Sequence, residues 1–283
     1  MKEPEWLDRR FSFDEDARNS RVETAALVRL TTSLAASVID LGAGVGGNIP
    51  YYFSRLPQFQ RWTLVEPDPE LRAATPGALH DWAHQLGGVA VVGETTQITL
   101  PGEAGLDVTC VEGHVGSLAN LMAAHDEVDI VVGNAVLEHL PRADIATLLD
   151  TLGTHRAPLL ATLNYVSTEF YPIRDEDAFW IARYDARFGE DASGARAGEI
   201  LANEAAQRGF RVIEGASRWE LRGGHHYQLQ RMLVSELRRA AEVGCDDPEL
   251  LRAWSLSMEA RIASGAIDMT VNHLDVFVCP LRA

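Results

Sequence analysis

The sequence predicts an α/β fold: a doubly wound, mostly parallel sheet with helices on both faces. Three observations carry this prediction. Short β-branched or apolar runs recur along the chain, each followed by a segment of helical spacing. The first run, SVIDL, ends in a glycine cluster that suits a tight strand-to-helix turn. Neither an internal repeat nor a Gly/Ser/Pro-rich linker breaks the alternation, so residues 1–283 are read as one domain.

Residues 1–22 are polar and charged, with Trp6 and Phe11 as candidate anchors. Val22, Leu27, Leu30 and Leu34 share one side of a helix predicted over 22–35. NIPYYFSRL, 48–56, follows the glycine turn as a helix. A second strand over 62–66 leads through a proline turn into a helix over 69–85. Residues 88–102 read as a small hairpin or irregular excursion, since Gly93 and Pro101-Gly102 punctuate their strand-like runs. Further core strands are expected at 106–113, 128–133 and 158–165, with helices in LANLMAAHD and over 143–152. After an aromatic and acidic interruption come a helix near 196–208, a strand at 210–215 and helices over 225–243 and 247–264. A last strand at 271–279 completes the chain. Residues 1–35 are read as an N-terminal helical cover and 166–194 as a substrate-side lid inserted in the domain.

Acidic residues outnumber basic ones 41 to 25, a net charge of -16. Such a surface repels phosphate backbones and no basic tract compensates, so no nucleic-acid partner is expected. Cys110, Cys245 and Cys279 are too few and too scattered for a disulfide framework or a zinc site, and no HExxH occurs; no metal is expected. No apolar run approaches the roughly 20 residues that span a bilayer, and the charged amino terminus lacks a signal peptide's apolar core. The expectation is a cytoplasmic protein without membrane contact, monomeric or homodimeric, acting on a small molecule.

The strongest local signal is VIDLGAGVGGNIPYY. Its glycines let backbone approach a ligand where any Cβ would intrude. The run satisfies two patterns. Gly42, Gly44 and Gly47 spell the dinucleotide fingerprint GxGxxG, while Asp40, Gly42, Gly44 and Gly46 spell DxGxGxG. Glu66, at the end of the second strand, can accept hydrogen bonds from both ribose hydroxyls in either reading, so it supports an adenosine-type ligand without choosing. Three observations do choose. Asp40 suits a ligand carrying a sulfonium and an ammonium group. Two further strand ends, at 113–118 and 133–140, have the layout that completes a pocket for adenine and a methyl group. The closing NHLDVFVCP suits a reversed edge strand after a long helical section.

On VIDLGAGVGGN, LVEPDPEL, VEGHVGSL and DIVVGNAVLEHL the chain resembles the class I S-adenosylmethionine-dependent methyltransferases. The match covers residues 36–165. DEDARNS, the GF–strand–SRWEL run and NHLDVFV resemble a bacterial small-molecule group within them. The resemblance implies a seven-stranded Rossmann-like sheet with a reversed edge strand, and S-adenosyl-L-methionine as cofactor. It also implies methyl transfer to a small metabolite, at oxygen or nitrogen rather than carbon. Asp40 would hold the methionine end, Gly42 and Gly44 would line the loop, and Glu66 would bind ribose. Pro67 and Asp68 would flank the adenine. The position that often reads the adenine amino group is not acidic here, falling on His114 or Ser117, so backbone of Val115, Gly116 and Ser117 would serve instead. Asn134 would face the methionine moiety or the methyl channel. Arg18 and Arg21 would reach the cofactor carboxylate if the first helix folds over the pocket.

Methyl transfer is an in-line displacement at an electron-poor carbon, so positioning in a dry cavity dominates, and a general base is needed only for a poorly acidic acceptor. Candidate bases or orienters are His139, just past the fourth strand, Tyr165, closing the fifth, Tyr171 and the His225-His226 pair. The 167–194 segment mixes aromatics with charge, six acids against three arginines over 174–192, which favours an amine or another cationic acceptor and fits a solvated helix surface equally well. An NAD-dependent oxidoreductase and a catalytically inactive S-adenosylmethionine-binding regulator are the alternatives.

Overall fold

In the computed structural model residues 4–281 are described except 103, 126, 190, 244 and 246, with side chains described from residue 10 onward, so that of Trp6 lies outside them. Nine strands form one sheet: β1 (Ala35–Leu41), β2 (Phe59–Val65), β3 (Val89–Val91), β4 (Thr95–Leu100), β5 (Ala104–Val111), β6 (Ile130–Asn134), β7 (Leu159–Tyr171), β8 (Phe210–Leu221) and β9 (Asp268–Pro280). Their order is β3-β4-β5-β2-β1-β6-β7-β9-β8. Strands β5, β2, β1, β6 and β7 run parallel, while β9 runs antiparallel to both β7 and β8.

The doubly wound class is thus observed, with two differences in the sheet. The 88–102 excursion is a true hairpin, β3–β4, and adds two strands at one edge. The reversed strand β9 is not the edge: β8 pairs along its outer side from Phe210↔Pro280 to Leu221↔Met269. The edge expectation treated 210–215 as a short strand, but β8 runs to Leu221 and matches the full length of β9.

The helices are α1 (Pro4–Ala17), α2 (Ser20–Leu27), α3 (Asn48–Tyr52), α4 (Pro69–Gln85), α5 (Leu118–Ala123), α6 (Arg142–His155), α7 (Asp175–Asp185), α8 (Ala197–Gln207), α9 (Tyr227–Glu242) and α10 (Pro248–Ala263). None among the described residues is long and apolar enough to cross a membrane. Alternation along the strands divides the core. Ala36, Val38, Trp62 and Leu64 face α2, α3 and α4, while Ile39, Leu41, Val131 and Leu159 face α5, α6 and α8. Each fully buried Leu or Ile contributes about 1.5–3 kcal/mol.

A third cluster packs α7, α9 and α10 onto the long tips of β7, β8 and β9 through Phe170, Trp180, Trp219, Leu233 and Trp254. Residues 166–171, expected in the lid, instead continue β7 and pair with β9. The helix expected over 22–35 stops at Leu27 and passes through a single 3-10 turn, 28–30. Leu34 is 85% exposed rather than on the buried side, because Ala35 is already drawn into parallel pairing with Phe59.

The joint between α1 and α2 bears on the site. Asn19 caps α2, its Oδ1 accepting from Val22 N at 3.2 Å. Its own N–H donates to the buried Asp275 of β9 at 2.7 Å. Asp275 also accepts from Leu163 N, a bulge residue at φ +54°, and from Ser217 Oγ, each at 2.7 Å. One carboxylate therefore ties the amino-terminal helices to β7 and β8.

Candidate active site

Strand order reverses at β1, with β2 on one side and β6 on the other. Open parallel sheets bind ligands in the crevice this leaves at the carboxyl strand ends. A cavity of about 520 Å³ lies there, walled by the turns after β1, β2, β5 and β6 and roofed by α1.

The turn after β1 is clamped to β2: Gly42 and Ala43 both donate their N–H to Val65 O, at 2.9 and 3.2 Å. Gly42 stands at φ +65°, and a Cβ there would lie 2.7 Å from Val136 Cγ2. Gly44, at φ +58°, donates its N–H to Glu66 Oε2 at 2.8 Å. Glu66 Oε1 accepts from Asp68 N at 2.9 Å. The carboxylate is thereby fixed at the mouth of β2, and each oxygen keeps lone-pair capacity for a ligand hydroxyl. Asp68 caps α4 by accepting from Glu70 N, and Arg72 holds the carbonyls of Glu66 and Pro67 at 2.8 and 2.7 Å.

Behind this loop Asp40 is completely buried. Its Oδ1 accepts from Asn48 Nδ2 at 3.0 Å, while Oδ2 has no partner. Burial raises its pKa to about 7, against the pull of the Asn48 hydrogen bond and the Arg18 charge. Arg18 lies at the cavity's edge under α1. It donates to Tyr52 Oη (2.6 Å), Thr162 Oγ1 (3.1 Å) and Asn48 Oδ1 (2.9 Å), and its Cζ lies 4.0 Å from the Tyr51 ring centre. Its Nε has no partner, and neither has Asn134 Oδ1 at the end of β6.

Of the residues expected from the sequence, Gly42, Gly44, Glu66, Pro67, Asn134 and His139 line the cavity, and Asp40 sits immediately behind it. Gly116 and Ser117 do not line it. Gly113, His114 and Val115 do, because the chain turns there into a 3-10 turn capped by His114, whose Nδ1 accepts from Gly116 N at 3.1 Å.

Arg21 points outward and donates to Glu214 O on β8; of the two arginines expected there, Arg18 is the one at the cavity. Tyr165 is buried outside the cavity wall, its hydroxyl donating to Asp185 Oδ1 at 2.5 Å. Burial, then Asp185, raises its pKa, which holds it protonated. Tyr171 lies at the far tip of β7, 54% exposed and bonded to Glu169. His226 is tied to Arg222 N at 2.8 Å and packs against Phe13, and with His225 lines a separate groove.

Sequence reasoning passed over Arg10, Asp14 and Glu15, which line the roof together with Phe11, expected only as an anchor. Arg10, Asp14 and Arg18 recur at four-residue spacing within RRFSFDEDAR, which would have marked one face of a helix.

No protein-family model matches the sequence, and no curated protein does. Solved structures do resemble it. The YcgJ protein from Bacillus subtilis aligns over 94% of this chain and 100% of its own, with 12% identity and a TM-score of 0.52. A cyclopropane-fatty-acyl-phospholipid synthase-like protein from Lactobacillus casei aligns over 96% and 99%, with 13% identity and a TM-score of 0.48. Phosphoethanolamine N-methyltransferase 2 from Haemonchus contortus, solved with S-adenosyl-L-methionine, aligns over 93% and 53%, with 12% identity and a TM-score of 0.43. With its parallel core, its reversal at β1 and its antiparallel β9 between β7 and β8, the chain has the class I S-adenosylmethionine-dependent methyltransferase fold.

Proposed function

We propose that the protein transfers a methyl group from S-adenosyl-L-methionine to a small-molecule acceptor, at oxygen or nitrogen, by in-line displacement. The observation that carries this reading is the set of buried unpartnered atoms around the cavity. Asp40 Oδ2 and Asn134 Oδ1 can accept hydrogen bonds, and Arg18 Nε can donate one. An amino-acid end supplies the complementary ammonium and carboxylate. The pyrophosphate of a nicotinamide dinucleotide supplies no ammonium, and an ionised Asp40 beneath the glycine turn would repel it.

Arg18 would hold the cofactor carboxylate, Asp40 and Asn134 its ammonium, and Glu66 the ribose hydroxyls. Backbone of 113–115 would border the adenine. The cofactor supplies an electron-poor methyl carbon on a sulfonium. The chain supplies position and dryness: Phe11, Val136 and Leu140 exclude water where an acceptor would approach. His139, exposed at the cavity's rim, is the remaining candidate to orient the acceptor or take its proton. Helices α1 and α2 act as the cover, and the segment from 172 to 194 as the acceptor-side lid.

Calorimetric titration with S-adenosylhomocysteine, beside NADH and with Glu66→Ala, tests this reading. Saturable binding of S-adenosylhomocysteine alone, weakened in the variant, is expected. Binding of NADH alone, or of neither by the folded protein, would overturn the reading.

A further inference from the structure

Arg187, on the turn after α7, packs its guanidinium among three aromatic rings. Its Cζ lies 3.4 Å from the centre of Tyr184, 3.8 Å from Phe188 and 4.7 Å from Tyr165. Tyr165 meets Tyr184 edge-on at 5.8 Å and Phe188 at a tilt, also at 5.8 Å, so the rings form the walls of a cage. Asp185, bonded to the Tyr165 hydroxyl, adds a carboxylate beside it. Burial raises the pKa of the Tyr184 hydroxyl, with Arg187 and Arg10 pulling it down and Glu236 and Glu138 pushing it up. Among the described residues the guanidinium makes one hydrogen bond, to Tyr184 O at 2.8 Å, and pairs with no carboxylate. Aromatic faces attract cations, most strongly where water is thin. The cage therefore holds a cation chiefly through its rings.

The cage adjoins the methyl-transfer cavity. His139 lines that cavity and meets Phe188 edge-on at 5.3 Å. The chain beyond the cage is pinned to the cavity wall, Ser193 N donating to Leu140 O at 2.8 Å with a bridge between Pro141 and Ala192.

We propose that this cage is the acceptor's subsite for a cationic head group, a protonated or methylated amine, and that Arg187 is the resident cation which must leave to admit it. Naming the ligand as the acceptor rests on the methyl-transfer reading; the cage's preference for cations does not. A nitrogen carrying four bonds has no lone pair, so the methyl goes to another atom of the acceptor, on the His139 side. Exchange is feasible because Arg187 is only partly buried, on a long side chain that solvent can receive. If Arg187 fills the cage about nine-tenths of the time, the apparent Kd of an entering cation rises about tenfold.

The test is a titration with tetramethylammonium chloride, with sodium chloride at matched ionic strength as reference, followed by ligand-observed NMR. Arg187→Ala should bind the probe about tenfold more tightly than the unmodified protein. Adding Tyr184→Leu, or separately Phe188→Leu, to that variant should abolish the gain. Equal affinity with and without Arg187, or a gain that survives loss of either ring, would overturn the proposal. S-adenosylhomocysteine titrated into the same samples reports on the cofactor reading separately: its failure to bind would sink that reading and leave the cage result standing.

Discussion

Raising the pH should tighten binding of S-adenosylhomocysteine through Asp40. Burial moves this carboxyl from an ordinary 3.8 to about 7 in the unliganded chain. About 3% is then ionised at pH ~5.5 and about 90% at pH ~8. A ligand ammonium near Oδ2 selects the ionised form, so binding expels a proton and affinity rises with pH. The ratio of ionised fractions gives about 30-fold, or ~2 kcal/mol, across that window. Stability runs the other way. The fold binds a proton that the unfolded chain has already lost between pH ~4 and ~7, so this group's contribution declines as pH rises through that window. Asp40→Asn should therefore flatten the binding profile and melt higher than the unmodified protein at pH ~8. Calorimetry across the pH range, repeated in buffers of different ionisation enthalpy, measures both the affinity and the proton released. A flat profile in the unmodified protein, or an unchanged profile in Asp40→Asn, would refute the reasoning.

Three further outcomes follow from the geometry. Glu66→Ala removes the acceptor for the Gly44 and Asp68 N–H groups and, on the proposed reading, for the ribose; at about 1.5–3 kcal/mol for hydrogen bonds to a charged group, titration should show affinity falling about 10- to 100-fold. Gly42→Ala places a Cβ 2.7 Å from Val136 Cγ2 at φ +65°, and thermal melts should show a loss of ~1–3 kcal/mol that Val136→Ala only partly restores, because the backbone strain stays. Asp177→Ala strands the buried Arg261 guanidinium, 2.8 Å from Asp177 Oδ2, and leaves Trp254 Nε1 without its acceptor; denaturant unfolding should register ~3–5 kcal/mol, with ligand affinity per folded molecule unchanged.

The sheet was legible because its signal is local. SVIDL, WTLV and DIVVG are apolar runs that only a strand buried on both faces requires, and each meets a turn residue at its carboxyl end. Glu66 was legible for the same reason, since its position follows from where β2 stops. The length of β8 was not, because its outer half, through Trp219 and Leu221, is held by packing against α9 and by pairing with β9, about fifty residues onward. The choice between Arg18 and Arg21 was likewise not local. Either could reach a pocket from a helix of unknown orientation. What decides it is Asp275, which holds Asn19 against β9 and so turns Arg18 inward and Arg21 toward β8.

The contrast among four buried acids supports the proposed site independently of any likeness to other proteins. Asp275 and Asp177 are both buried and both saturated. Asp275 takes Asn19 N, Leu163 N and Ser217 Oγ, and Asp177 takes Trp254 Nε1, Arg174 N and Arg261 Nη1. Such groups stabilise because no oxygen is left without a partner. Asp40 is buried as deeply but keeps Oδ2 bare, and Asp14, on the cavity roof, keeps Oδ1 bare beside its pair with Arg10. An unpaired buried acceptor costs about 1–3 kcal/mol, and Asp275 and Asp177 show that this fold can satisfy a buried acid fully. At Asp40 and Asp14 the deficit falls where α1 closes over the glycine turn, so on the proposed reading a ligand supplies the missing partners. A ligand group that pairs with Asp40 Oδ2 would return there the stability that the free chain forgoes.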